Sequence, residues 1–187
     1  MLTCDVTSEE KVMRSCAVQM RELVGQITAT LVKEYFADSP MGDSPRPEIR
    51  PPAEPRALAE LERRAGQSLE AGYRQFLSLT DGLEGFPLML LGCQDWEPGG
   101  WGEVAEEFRE TILDSGPEDV GVLPGTPLFP VAVNADRSNG IFLIDTAGFA
   151  EERFWWTGEG DSFFFVGFAD VLAFLNDAGS CDPRESL

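Results

Sequence analysis

The run Ser68 to Gly85, SLEAGYRQFLSLTDGLEG, constrains this chain most, because a start signal, an apolar face and a stop signal fall within one short stretch. Ser68 offers an N-cap hydroxyl, and Glu70 an acid suited to the positive end of a helix. Leu69, Tyr73, Phe76, Leu77 and Thr80 recur at helical spacing, and Asp81-Gly82 supplies a left-handed exit. Upstream, Leu58, Leu61 and Ala65 mark a second helix face that Gly66 is placed to end. The two helices form a pair joined by about two residues.

The remaining elements are arranged around this pair. At the start, Thr7 and Glu10 suit a capping box, and Val12, Cys16, Met20, Leu23, Ile27, Leu31 and Tyr35 recur every three or four residues. They predict a long helix from about Ser8 to Phe36, in an amino-terminal extension of residues 1–38. Its apolar stripe must be covered. Docking on the same chain, as a monomer, is the expectation, and a homodimer through this helix is the alternative. Residues 39–55 hold Pro40, Pro45, Pro47, Pro51, Pro52 and Pro55, which exclude a regular helix and predict a linker or surface strap.

Beyond the helix pair, Phe86 to Gly92 reads as a short buried strand. Glu103 to Ser115 reads as a helix with Val104, Phe108 and Ile112 on one face. LFPVAVN (128–134) and GIFLIDT (140–146) predict a hairpin with Asn139-Gly140 near its turn, and RFWWT (153–157) and SFFFV (162–166) a second hairpin around GEGD. Phe168 to Ala178 closes the domain as a helix, and the tail, residues 180–187, is expected to fray. The fold class is α+β: an antiparallel or mixed sheet of about five strands with packed helices and a long N-terminal helix appended. Trp155 and Trp156 must face opposite sides of their strand, so one of them can lie on an accessible face.

Charge and composition then bear on function. The formal charge is -19, from 33 acidic and 14 basic residues, which repels nucleic acid and attracts a basic protein. Histidine is absent, so His-dependent triads, Cys-His dyads and His metal ligands are excluded. Cys4, Cys16, Cys93 and Cys181 form no close pair, and no phosphate-binding glycine loop, nucleophile elbow or zinc-protease motif occurs. Asp145, Glu159 and Asp161 could together bind a cation, but EF-hand spacing is absent and solvated turn carboxylates are the expectation. The expectation is a binding protein, no enzyme, with no cofactor and no metal. No apolar run approaches the ~20 residues of a membrane helix, and the polar, acidic start lacks a secretory signal, so the expected location is cytoplasmic.

Between Asp81 and Asp119 eleven carboxylates stand against Arg109 alone, a local charge of -10. Such crowding is repulsive, and a face kept this acidic suits a partner. The candidate contact residues are Asp95, Trp96, Glu97, Trp101, Glu103, Glu106, Glu107, Glu110 and Asp114, with Trp156, Glu159 and Asp161 from the second hairpin.

The order LxxLExxxGxxLxxxYRxFLxxxDGxxGF, carried by Leu58, Leu61, Glu62, Gly66, Leu69, Tyr73, Arg74, Phe76, Leu77, Asp81, Gly82 and Phe86, resembles the opening of the SUKH superfamily, the Smi/Knr-like proteins. PVAVNADRSNGIFLIDT and FFFVGFADVLAFL resemble its later strands and closing helix, so the likeness spans about residues 55 to 178, within a domain set at 56–179. Glu70 stands where members often have proline, and Ile141 follows Gly140 where they often have aspartate. The resemblance implies a SUKH fold and an immunity protein that binds and neutralises a cognate, nucleic-acid-acting toxin by occlusion. A toxin-independent adaptor or regulatory scaffold of the same fold is the alternative it implies.

Overall fold

Apolar residues run unbroken through the main strands, and in the structure they build one sheet with two buried faces. The computed structural model describes residues 8–38, 47, 49–84 and 88–187, with residues 8–18, 34, 37, 38 and 161 as backbone only. Strands β1 (Met89–Leu90), β2 (Leu128–Val133), β3 (Asn139–Ile144), β4 (Phe154–Gly158) and β5 (Asp161–Phe165) lie in the order of the chain, every neighbour antiparallel. Register aligns Phe142, Trp155 and Phe164 on one face, and Leu143, Phe154 and Phe165 on the other. Adjacent rings in the first row sit 5.8 Å apart, within the range of favourable aromatic pairing.

Helices cover both faces. α1 (Ser8–Asp38), α2 (Pro55–Ala65), α3 (Ala71–Leu77) and α5 (Phe168–Asn176) bury Ile27, Leu61, Tyr73 and Phe168 with Leu143 and Phe154. The stripe Met20, Val24, Ile27 and Leu31 of α1 is buried in this cluster, with α1 lying against α3 and α5. α4 (Trp101–Asp114) lies on the opposite face and stacks Phe108 on Phe142 at 5.5 Å. No described helix is long and apolar enough to cross a membrane.

Three local expectations change. Ser68 is exposed and does not cap α3. Glu70, held extended, is the cap, and its carboxylate accepts from the Tyr73 amide at 2.9 Å and the Phe168 amide at 3.4 Å. One acid therefore begins α3 and ties it to α5, while burial of Leu69 keeps the preceding residues outside the helix. The helix also ends early, at Leu77, because buried Thr80 donates its hydroxyl to the Gly82 carbonyl at 2.7 Å and accepts from the Arg50 amide at 3.1 Å. Asn139-Gly140, expected near the hairpin turn, opens β3 directly after it, and the turn places Arg137 in the left-handed region at φ 63°. Finally, the tail does not fray. Arg184 pairs with Phe164 along the β5 edge, and the Leu187 amide donates to the Val120 carbonyl at 3.0 Å.

The Thr7 capping hydroxyl, the side chains of Val12 and Cys16, Phe86 and most of the strap lie outside the described residues.

Gly140 shows how closely α4 is seated. A Cβ there would lie 2.3 Å from the buried Phe108 ring and 2.9 Å from the Ala132 carbonyl oxygen. Gly140→Ala is expected to cost ~1–3 kcal/mol through overpacking, read as a lower urea midpoint at unchanged m-value. An unchanged midpoint would contradict this packing of α4 on the sheet.

Candidate functional site

The acidic stretch after β1 is shaped by a cation that comes from the strap. Gly92 is buried and extended, and the chain turns through a 3₁₀ segment, Cys93–Trp96. Asp81 sets that turn by accepting from the Cys93 and Gln94 amides. Asp95 points inward, where it is 4 % exposed, accepts from the Gly92 amide at 2.7 Å and pairs with Arg50 at 2.7 Å. The same guanidinium donates to the Asp81 carbonyl at 3.2 Å and reaches Glu84 at 3.5 Å. Burial alone would lower the Arg50 pKa, but the hydrogen bonds and charges of Asp95 and Glu84 outweigh it and hold the pKa above its ordinary value. Asp95, expected to face a partner, is thus internal: a carboxylate so enclosed is stable only because Arg50 meets it.

The turn positions Trp96. Its indole stacks on Phe129 at 4.8 Å, and the Arg64 guanidinium lies over the ring, 5.4 Å from its centroid. The start of α4 presses against it: a Cβ on Gly100 would lie 2.4 Å from the Asp95 carbonyl oxygen, and one on Gly102 2.8 Å from the Trp96 ring. This approach, which only glycine permits, opens a groove on either side of the indole. One, about 510 Å³, runs between Pro51, Pro52, Leu61, Trp96 and Pro98. The other, about 550 Å³, runs from Arg64, Trp96 and Pro98 along Glu103, Glu106 and Glu107.

The structure therefore brings Trp96, Glu97, Glu103, Glu106 and Glu107 together. Glu106 is paired with Arg109 at 2.6 Å, and Glu107 with Arg137 from the β2–β3 turn. Glu110 and Asp114 are exposed further along α4, and Trp101 is half-buried against the core beneath it. The second hairpin stands apart. Trp156 packs edge-on against Phe174 at 5.6 Å, on the sheet face away from α4, and its indole nitrogen is buried without a partner among the described residues. Trp155 is the fully buried one of the pair and donates to the Ser162 hydroxyl at 3.0 Å.

Glu159 is exposed in the β4–β5 turn, and the side chain of Asp161 lies outside the described residues. The pairings Asn139 to Gly158 and Leu143 to Phe154 place Glu159 and Asp145 at opposite ends of their strands, so the trio with Asp161 does not assemble into a cation site. Among the described residues no group of three His, Cys, Asp or Glu side chains is placed to hold a metal.

Two site residues were missed from the sequence, Arg50 and Arg64. Arg50 lies in the strap, without periodicity to mark it. Arg64 belongs to a helix face that reads as solvent. Cys93 lines the first groove, and burial, reinforced by the Asp81 carboxylate, pushes its thiol up to about 12. It is therefore a neutral group at physiological pH and no ready nucleophile. Neither a protein-family model nor a curated protein matches this sequence.

Two outcomes follow from these environments. Arg50→Ala leaves the Asp95 carboxylate buried and unpaired, and is expected to cost ~3–5 kcal/mol in chemical denaturation. A loss of less than about 1 kcal/mol, the surface-pair value, would contradict the buried pair. The raised Cys93 pKa favours the protonated thiol in the fold, so its contribution to stability is complete below the ordinary thiol value and is lost as pH rises towards about 12. At about pH 8, iodoacetamide is expected to spare Cys93 in the folded protein and to modify it in urea, as read by peptide mass spectrometry.

Proposed function

We propose that this protein is an immunity protein of the SUKH type, which binds a basic, nucleic-acid-acting toxin domain in the cytoplasm and occludes its nucleic-acid cleft. The observation that carries the reading is the meeting of two open grooves at Trp96, with Glu97, Glu103, Glu106 and Glu107 on their lips. An aromatic anchor inside a charged surround is the usual make-up of a protein-binding hot spot. The sign of the charge selects a basic partner, and the net -19 of the chain speeds encounter with one.

The sequence resemblance agrees with this. The DG pair of its motif, Asp81-Gly82, lies beside the groove: the Asp81 carboxylate caps the turn that carries Trp96. In this reading residues 56–179 are the SUKH domain, α1 is appended to it, and a monomer is the acting unit.

Co-expression with the toxin domain encoded beside its gene is expected to rescue growth. Glu103→Gln combined with Glu107→Gln is expected to slow association about tenfold at low salt and to flatten its salt dependence, as measured by stopped-flow or surface plasmon resonance. Failure to rescue, or association indifferent to salt, would overturn the reading.

A further inference from the structure

Arg64 is placed unusually for a cation in so acidic a region. It is exposed, and among the described residues it forms no ion pair within 4.0 Å. Its neighbour Arg63 is paired with Glu60, and Arg74 with Glu62. Arg64 instead rests on the face of Trp96, at the junction of the two grooves. Together the groove linings hold seven carboxylates and this one cation. Its contact is an exposed cation–π interaction, the weaker kind and the easier to exchange.

We infer that the grooves receive an extended segment of the basic partner, whose arginine takes the place of Arg64 over the Trp96 indole. The inference rests on the proposed reading that a basic protein is bound, and adds what part of it is recognised. The walls favour an extended chain: Trp96 supplies an aromatic floor, as in grooves that take polyproline-type segments, and Pro51, Pro52 and Pro98 beside it are rigid and apolar. The lips favour a cation at several positions along it. The indole favours arginine over lysine, because a planar, weakly hydrated guanidinium stacks on a ring while reaching carboxylates at its edge. Arg64, already stacked there, fills the position in the free protein and swings out along its flexible side chain.

The full chain is titrated calorimetrically with an octapeptide of alternating proline and arginine, and with its lysine and glutamate counterparts. The arginine peptide is expected to bind about tenfold tighter than the lysine peptide, and the glutamate peptide not at all. Trp96→Leu is expected to erase the arginine preference. Arg64→Ala is expected to tighten arginine-peptide binding about two- to fivefold by removing the internal competitor.

Equal binding of the arginine and lysine peptides, or weaker binding by Arg64→Ala, overturns the inference. Arg64 is exposed, so its variant carries the test even where Trp96→Leu unfolds. Toxin neutralisation undiminished in both variants overturns the inference and leaves the immunity reading standing. Arginine-selective binding without neutralisation supports the groove and overturns that reading.

Discussion

Taking the Arg50 guanidinium and the Asp95 carboxylate out of water costs several kcal/mol for each ion, and their attraction offsets this only where the remaining hydrogen-bonding capacity is also met. Here each ion has a further partner. Asp95 accepts from Gly92 as well as Arg50, and Arg50 donates to the Asp81 carbonyl and reaches Glu84. Each contact comes from a different part of the chain: the strap, the loop after α3 and the loop after β1. The pair ties three segments to one another, alongside the Asp81 amide, which donates to the Pro51 carbonyl, and the Asp81 carboxylate, which accepts from the Cys93 and Gln94 amides. On these contacts together rest the Cys93–Trp96 turn, the seat of Trp96 on Phe129, and the approach of Gly100 and Gly102 that starts α4. The direction of α4, and with it the row of carboxylates it presents, is set by this turn at its start and by the packing of Phe108 on Phe142 and Gly140 along its length.

The same contacts explain which parts of the molecule were legible in the sequence. Periodicity is a property of neighbouring residues, and it located the helix pair, α4 and α5, because each buries a face that its own spacing defines; short apolar runs bounded by turn residues located the five strands. Strand alternation also required Trp155 and Trp156 to part, as they do. Choices between local alternatives were less legible. Ser68 and Glu70 are both competent caps, and Glu70 prevails because it also serves the Phe168 amide, a residue remote in sequence. Asn139-Gly140 reads as lying near a turn, as it does, but that the glycine also makes room for Phe108, on another element, has no local signal. Asp95 looked like its exposed neighbours because its partner, Arg50, lies in a proline-rich run with no pattern to announce it.

Counting charge along the chain misled for a related reason. The excess of acids between Asp81 and Asp119 is a fact of sequence, whereas repulsion is a fact of space. Arg50 enters beneath Asp95, Arg137 reaches Glu107 from a turn on the sheet, and Arg64 stands over Trp96 between the acidic lips. What remains uncompensated lies on the outer surface of α4, on the groove edges and on the exposed Glu118 and Asp119, where water screens it. The fold therefore tolerates the charge without diluting it, and the acids remain available for work at the surface.

The sheet itself limits where that work can happen. An antiparallel meander leaves two edges, and an open edge invites another strand. At one end Leu83 pairs with Leu90 beside β1, and Ile49 pairs in turn with Leu83. At the other, Arg184 pairs with Phe164 on β5, and the tail continues until the Leu187 amide bonds to Val120. Both sheet faces lie under helices. With faces covered and edges occupied by the chain's own flanking segments, strand addition would have to displace hydrogen bonds already made. The groove at Trp96 needs no such displacement beyond one exposed arginine. Recognition through side chains, with an aromatic floor and carboxylate lips, is the course the covered sheet leaves open.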